Sequence, residues 1–597
     1  MRKYAIEEDP QMKKKLVCIL LCAVMLAGCL MSTGCSIASD DTTSTDTSGT
    51  ENAEVSRTSM TLSLWIPTDE NTTEEALYLV EEAINQVTQS EFDTAIKLYA
   101  IPDSQYESVM RERIDTIETR LEQEEQDAIN KRQEQIDAAQ KGETYVEGTT
   151  EYVNPNMDGD YSLVVRGATG YTNVERNQLD IFLIRGEEEY RYYADNFYLK
   201  DLNEQLNSSS KVLKNYIYTD FFTAATVDGS VYAIPNNHAV GEYTYFLVNK
   251  DIVEKEYLDP EKLSSLADCE SLINDIAEYH PEIAKGNIVY GQYDPSYYQY
   301  WSGQGGGDAK FSVLTSRVLY STLPEQVTFD NIFSYNNFTS NYYLYKLFKE
   351  KGYVNTSATV PEKFGVGYIT CSADEISKYE DDYYVNVFKR PEGSKDDYLQ
   401  SMFAVSEYTK STERSMEIIT LLNTDTRLRT ILQYGAEGTH WKADEENSDI
   451  IVQLSDEYKM DLINTGNVYM TYPDYGQPLE KWEVDKTQNL DSYLPCTYSF
   501  NYVNEDNKEL FNKLDALSDQ IYKKMESMTA EEFKAGIANF KAQVDTNDAF
   551  QKLTYIPSDS DSVKGRTEEK GWLPQASLAN QWQDYCIELY GEEFLNW

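Results

Sequence analysis

Histidine is nearly absent from this chain, with three in 597 residues: His238, His280 and His440. No His-Glu-x-x-His, no Gly-x-Ser-x-Gly and no EF-hand loop occurs. Histidine-based hydrolysis and metal chemistry therefore have little to build on. Asp/Glu pairs abound in a chain this acidic, so spacing alone does not exclude a glycosidase dyad. Cysteine is sparse, and the late ones, Cys269, Cys371, Cys496 and Cys586, form no CxxC. That excludes a zinc site and a disulfide-rich framework, and leaves open one disulfide or four buried thiols. The triple glycine Gly305-Gly306-Gly307 is not followed by Gly-Lys-Ser/Thr, so it is no phosphate loop. No cofactor and no metal are expected. Basic residues are outnumbered, 52 Lys+Arg against 102 Asp+Glu, for a net charge of −50. Such a surface repels phosphates, so nucleic acid is excluded as a partner. Long apolar runs are also missing: Leu16 to Met25 and Leu26 is about 11 residues, against the roughly 20 that span a bilayer.

That short run has a recognisable setting. Lys13, Lys14 and Lys15 precede it, and Leu26-Ala27-Gly28-Cys29 follows. A positive segment, a short apolar core and small residues make a secretion signal. With a cysteine at the end, the arrangement resembles a bacterial lipoprotein signal. The resemblance implies cleavage before Cys29 and a lipid on its thiol. Met12 is a better start than Met1, because Glu7, Glu8 and Asp9 otherwise stand ahead of the lysines. Cys35 is a second possible acceptor, with Ser32 at the poorer outer position; a secreted protein cut at a small residue is the plainer alternative. Residues 1–28 are then a signal peptide. Residues 29–59 are a disordered tether, polar and without an aromatic ring from Ser36 to Ser59.

The remaining length needs at least two domains. Thr61–Trp65 alternates and breaks at Pro67, which reads as a strand ending near the tryptophan. Ala76, Leu77, Val80, Ala83, Ile84 and Val87 predict a helix capped by Thr72 or Thr73. Ile96–Ala100 is a second strand. A long helix begins near Ser104, and its far half is too charged to be packed. Residues 114–177 look like an insertion. Leu179–Ile184 is a buried strand, and Val227–Pro235 a hairpin turning at Asp228-Gly229. Strands alternating with helices indicate βαβ units. The fold class expected is α/β, with two lobes, a ligand cleft between them and a long helical insertion in lobe one.

The order of these pieces resembles the extracellular solute-binding proteins of carbohydrate-type ABC importers (family 1), especially the large lipoprotein members from Firmicutes. The residues that carry the likeness are LDIFLI (179–184), DGSVYAIP (228–235), YFLVNKDI (245–252), FGVGYIT (364–370), YVNVFKRPEG (384–393) and YGAEGTHWK (434–442). It runs from about Thr61 to Trp441 and more weakly beyond. Where that family has a Pro-x-Thr-Trp-x-Glu box, this chain reads DPEKLSSLADCESL. The resemblance implies a periplasmic-binding-protein-like fold. Lobe one would be 60–240 with 396–442, and lobe two 241–395 with 443–597. Hinges would lie near Asn237–Tyr243, Arg390–Lys395 and Lys442–Ser448. It also implies a lipid-anchored, extracellular, monomeric protein, not an enzyme, that delivers a carbohydrate to permease subunits. A same-fold binder of peptides or another solute, or a surface glycan-active enzyme or adhesin, are the alternatives.

Several residues could carry binding. Trp65 would stack on a sugar ring, or else cap the lobe core. Tyr298 and Trp301, beside the glycine-rich loop, would form a second platform, or else be packing. Asn236, Asn237 and His238 would meet hydroxyls or set the hinge turn. Tyr243 follows them. Glu437 and Trp441 lie in the loop that borders the cleft in the resemblance. Arg185 would bind a polar group or pair with Glu187–Glu189.

Overall fold

A computed structural model describes residues 58–141, 174–291, 311–316, 327–494, 496, 500, 507–554 and 577–590. Residues Arg57–Trp597 form one compact unit. Cys29, expected to carry a lipid, residues 29–57 of the expected tether, Tyr298 and Trp301 lie outside the described residues.

The first strand, β1 (Met60–Thr68), is buried on both faces from Thr61 onward. Helix α1 (Glu74–Phe92) starts where the Thr73 hydroxyl accepts Ala76 N, and its Ala76, Leu77, Val80 and Ile84 stripe is buried. Strand β2 (Thr94–Pro102) follows. Buried Asn85 ties helix to strand, accepting Ile96 N at 2.6 Å and donating to Ile96 O at 2.9 Å. Helix α2 (Tyr106–Lys141) buries only Tyr106, Met110, Arg113, Ile114 and Ile117. Strands β3 (Ile181–Ile184) and β4 (Ala233–Pro235) complete the first pass. The hairpin turns at Asp228 and Gly229, both at positive φ, as Asp-Gly favours.

The chain then crosses to β5 (Tyr243–Asn249), β6 (Val289–Tyr290), β7 (Val354–Asn355), β8 (Val366–Cys371) and β9 (Tyr383–Lys389). It returns as β10 (Met402–Val405), helix α3 (Thr412–Thr424), helix α4 (Thr426–Tyr434), the hairpin β11 (Trp441–Ala443) and β12 (Ile451–Gln453), and helix α5 (Lys481–Asp491). One sheet has the order β2-β1-β3-β10-β4 and the other β7-β6-β8-β5-β9. Two α/β lobes result, each with its own sheet.

Pairing directions set the edges. In the first sheet β1, β2, β3 and β4 run one way and β10 the other. In the second, β6, β7 and β8 are parallel, while β5 is antiparallel to β8 and β9. Strand β4 therefore ends, and β10 begins, on the edge that holds the carboxyl ends of β1, β2 and β3. Likewise β5 begins and β9 ends on the edge that holds the carboxyl ends of β6, β7 and β8. The crossings join these two edges.

Side-chain alternation in β5 separates two cores: Phe246 and Val248 join one, Tyr243, Tyr245 and Leu247 the other. The first of these also takes Leu514, Ile521, Phe533, Phe540, Phe550 and Trp582 from the helices after residue 507.

One boundary differs from the expectation. The chain does not pass into the lobe-two core near Lys442–Ser448. Tyr458, Met460 and Leu494 lie in the lobe-one core, and the lobe-two core resumes at Phe500. Leu494 is thus the last residue of the lobe-one core, and Cys496 and Phe500 already pack with lobe two. Polar anchors hold the extra segment: Asp69 N and Thr73 N donate to Lys459 O and Glu457 O near the surface, and fully buried Arg429 reaches Asn467 O and Leu462 O. All four late cysteines are free thiols, three buried and Cys496 half-buried. Among the described residues no helix is long and apolar enough to cross a membrane.

Candidate functional site

Ligands of open α/β sheets sit beyond the carboxyl ends of strands, where a crevice is ready-made. Both sheets here turn that edge toward the crossings. On lobe one the edge carries Asp69, Glu70 and Asn71 after β1, Asp103 after β2 and Arg185 after β3. Asp69 closes a small turn by accepting Asn71 N at 2.9 Å, and that bond, with the Asn71 side chain, holds its carboxyl below the usual range. Arg185 is paired, but not with Glu187–Glu189: Asp103 Oδ1 lies 2.5 Å away and Glu107 accepts its Nε at 2.9 Å. Helix α2 starts beside β3, so its first-turn acid is nearer than those on the arginine's own helix. On lobe two the edge carries Asn355, Ser372, Asp374 and Arg390.

The residues singled out from sequence do not form one cluster. Trp65 is a correction. Strand β1 continues through Pro67 to Thr68, so the tryptophan lies three residues short of the carboxyl end. It is 1% exposed, and its ring stacks on Tyr99 with centroids 4.1 Å apart and planes within 5°. The Arg113 guanidinium lies 5.6 Å from its ring centre. No face remains for a sugar.

Asn236, Asn237 and His238 line the first crossing and are buried there. The Asn236 amide donates to Ser401 Oγ at 3.0 Å and Ile463 O at 2.8 Å. Asn237 donates to Tyr216 O at 2.9 Å. The His238 ring lies between Asn236 O at 2.7 Å and Asp397 O at 3.0 Å. These side chains spend their donors on tying the crossing to its neighbours, which is the hinge-turn alternative. Tyr243 is buried too, stacked on Tyr245, and its hydroxyl donates to Asp491 Oδ2 at 2.7 Å.

Glu437 is exposed, in a loop of its own making. Trp441 is 9% exposed and donates Nε1–H to Gly435 O at 2.9 Å. His440 accepts Ala436 N on Nδ1 at 2.9 Å. Gly435, at φ +86°, has no Cβ because one would lie 2.4 Å from that ring nitrogen. The accepting Nδ1 makes this histidine neutral, and burial lowers its pKa from 6.5. A folded pKa below the unfolded one means the unfolded chain takes the proton first. Its contribution is therefore full above about pH 6.5 and is lost as pH falls below that. Acidification from pH 7 to 5 is expected to loosen this loop, read as a change in Trp441 fluorescence that a Trp441→Phe variant lacks. A His440→Gln variant should flatten that pH response; an unchanged response would assign it to another group.

Helix α5 went unnoticed in the sequence. It bridges the lobes: Lys481 Nζ is 3.1 Å from Asp374 Oδ2, and Gln488 accepts Ala373 N and donates to Gly241 O. Asn489 accepts Val240 N, and Asp491 receives Tyr243. The only trace in the sequence is the 481, 485, 488, 489 spacing of polar residues, which resembles any solvated helix face. Among the described residues no group of three or more His, Cys, Asp or Glu could hold a metal ion.

The chain is similar to proteins of the class its two-lobed fold suggests. No family model matches it. A Streptococcus pneumoniae serotype 4 protein described as a carbohydrate ABC transporter substrate-binding protein is 24% identical over 328 residues. That match covers 49% of this chain and 63% of the relative, so under two thirds of the relative's length is spanned. Among solved structures, the N-glycan transport solute binding protein (NgtS) from Streptococcus pneumoniae is 16% identical, with 85% of this chain and 98% of that one covered, at a TM-score of 0.47. An HMO-binding, ABC-transporter-associated solute binding protein from Bifidobacterium longum infantis is 12% identical, with 89% and 99% covered, at a TM-score of 0.43.

Proposed function

We propose that this chain is the carbohydrate-binding protein of an ABC importer, held on the outer face of the cell membrane by a lipid on Cys29, and that it performs no chemistry on its ligand. The observation that carries the reading is that both sheets turn the carboxyl ends of their parallel strands toward one junction crossed by three segments. The curated relative's description supports the carbohydrate. In this reading the sugar hydroxyls meet Asp69, Asn71 and Arg185 from one side, Asn355 and Arg390 from the other, and Glu437 at the rim. Tyr298 and Trp301 supply apolar faces.

Two lobes on hinge strands close when a ligand prefers the closed form. A thermal-shift series with mono- and oligosaccharides is expected to raise the melting temperature for one class of glycan. Ligand at 100 times its dissociation constant adds roughly 2.7 kcal/mol. Small-angle scattering should show a smaller radius of gyration at saturation, and the recovered glycan should be unchanged. Stabilisation by peptides alone would move the reading to another solute, and cleaved glycan would make the chain an enzyme. For the anchor, Cys29→Ser should release the protein into the medium or leave the precursor uncut. Lipid retained in Cys29→Ser but lost in Cys35→Ser would move the site to Cys35.

A further inference from the structure

Helix α2 leaves lobe one as a bare arm. Ile114 and Ile117 are buried against the lobe, and from Leu121 to Lys141 every residue but Ala138 is exposed. That stretch is ~31 Å long at 1.5 Å per residue. The buried stripe does not stop at the lobe surface. It continues outward as Leu121, Ala128, Ile129 and Ile136, of which Leu121, Ile129 and Ile136 are 39%, 54% and 44% exposed. Glu125 and Arg132 stand in the same stripe between them.

Other faces of the arm carry contacts of their own. The returning chain at Arg176 and Asn177 touches Arg113, Arg120 and Glu124, roughly a quarter-turn from the stripe. Gln126 pairs with Asn130 and Gln133 with Asp137, on the side away from those contacts. Along the stripe, Glu125 and Arg132 have no hydrogen bond or ion pair among the described residues.

We infer that the arm pairs with the same arm of a second copy, antiparallel, about a twofold axis between Ala128 and Ile129. The order along the stripe is Leu121, Glu125, Ala128–Ile129, Arg132, Ile136. Reversed against itself, it sets Leu121 on Ile136, Glu125 on Arg132 and Ala128 on Ile129, and then repeats each contact by symmetry. A twofold interface must be self-complementary in this way. A parallel pair would instead set Glu125 on Glu125 and Arg132 on Arg132. Charges in the seam of paired helices choose orientation by such repulsion. The occupant is therefore a second copy and not the chain's own residues 142–173, and the monomer expected from sequence gives way to a weak dimer.

Sedimentation of the full chain in mild detergent, over micromolar concentrations, reads the state. The wild type is expected to dimerise. Glu125→Arg and Arg132→Glu should each weaken the dimer at least ~10-fold, and the double variant Glu125→Arg/Arg132→Glu should restore it. Ile129→Glu should give a monomer. These side chains are exposed, so melting temperatures should not move, and circular dichroism checks that they do not. A wild type that stays monomeric overturns the proposal, as would occupancy of the stripe by residues 142–173. A dimer indifferent to Glu125→Arg, or one that the double variant does not restore, overturns it equally.

Discussion

A Trp65→Ala variant is expected to unfold with about 3–5 kcal/mol less stability than the wild type, the range for an aromatic ring removed from a packed core. The ring is 1% exposed and lies in an inner strand of the first sheet, between Tyr99 on β2 and Phe182 on β3. Its backbone is held as firmly: the Tyr106 hydroxyl lies 3.0 Å from Trp65 O and 2.9 Å from Leu183 O, and accepts Leu183 N. Truncation leaves a void lined by Tyr99 and the Arg113 guanidinium, and the second of these then loses its ring partner. Trp65→Phe keeps a ring for Tyr99 and should lose less. Urea unfolding of the ligand-free chain measures both. A ring facing a cleft would give the opposite pattern, with unchanged unfolding and weakened sugar binding, and that result would return Trp65 to the site.

Arg429→Ala is the second large effect. The guanidinium is fully buried in α4 and is solvated only by neutral oxygens: Asn467 O at 3.1 Å, Leu462 O at 2.7 Å and Gln433 Oε1 at 3.1 Å. Burial pulls its pKa down to about 9. Removing it empties a buried site and takes a donor from three acceptors that have others within reach, Met470 N at Asn467 O and Thr465 Oγ1 at Leu462 O and Gln433 Oε1, so the void left behind is the main cost. A loss of about 3–5 kcal/mol is expected. It should be local before it is global. Gly466 packs on this side chain so closely that a Cβ would lie 2.5 Å from Leu422 O and 3.2 Å from Arg429 Cδ. Losing the anchor should therefore free residues 462–480 to a protease while the helices after residue 507 stay protected. Equal cutting in wild type and variant would show that Tyr458 and Met460 hold the segment without Arg429.

The individual elements were legible because each writes its own period. The α1 stripe, the LDIFLI run of β3 and the Asp-Gly hairpin read directly, since burial on one face or both demands apolar residues at fixed spacing. The long charged helix was legible for the converse reason: a face of Glu, Gln, Arg and Lys has no core to enter. The candidate site was less so. Asn236, Asn237 and His238 lie between β4 and β5, but an amide that binds a sugar and one that binds a carbonyl are the same residue in a sequence. Trp65 was misplaced by one local rule, Pro67 as a strand end. β1 runs past it because the proline sits one residue from the strand's end, where a missing N–H is tolerated.

The sequence by itself determined the two alternating α/β runs, the exposed arm and the scarcity of catalytic residues, because composition and period are local properties. Only the tertiary structure decided where the chain finally leaves lobe one, that α5 spans the hinge, and which way Trp65 faces. Those follow from partners far along the chain, such as Lys481 with Asp374, 107 residues apart, and Arg429 with Asn467. A hydrogen bond to a distant carbonyl leaves no mark on the residues around it.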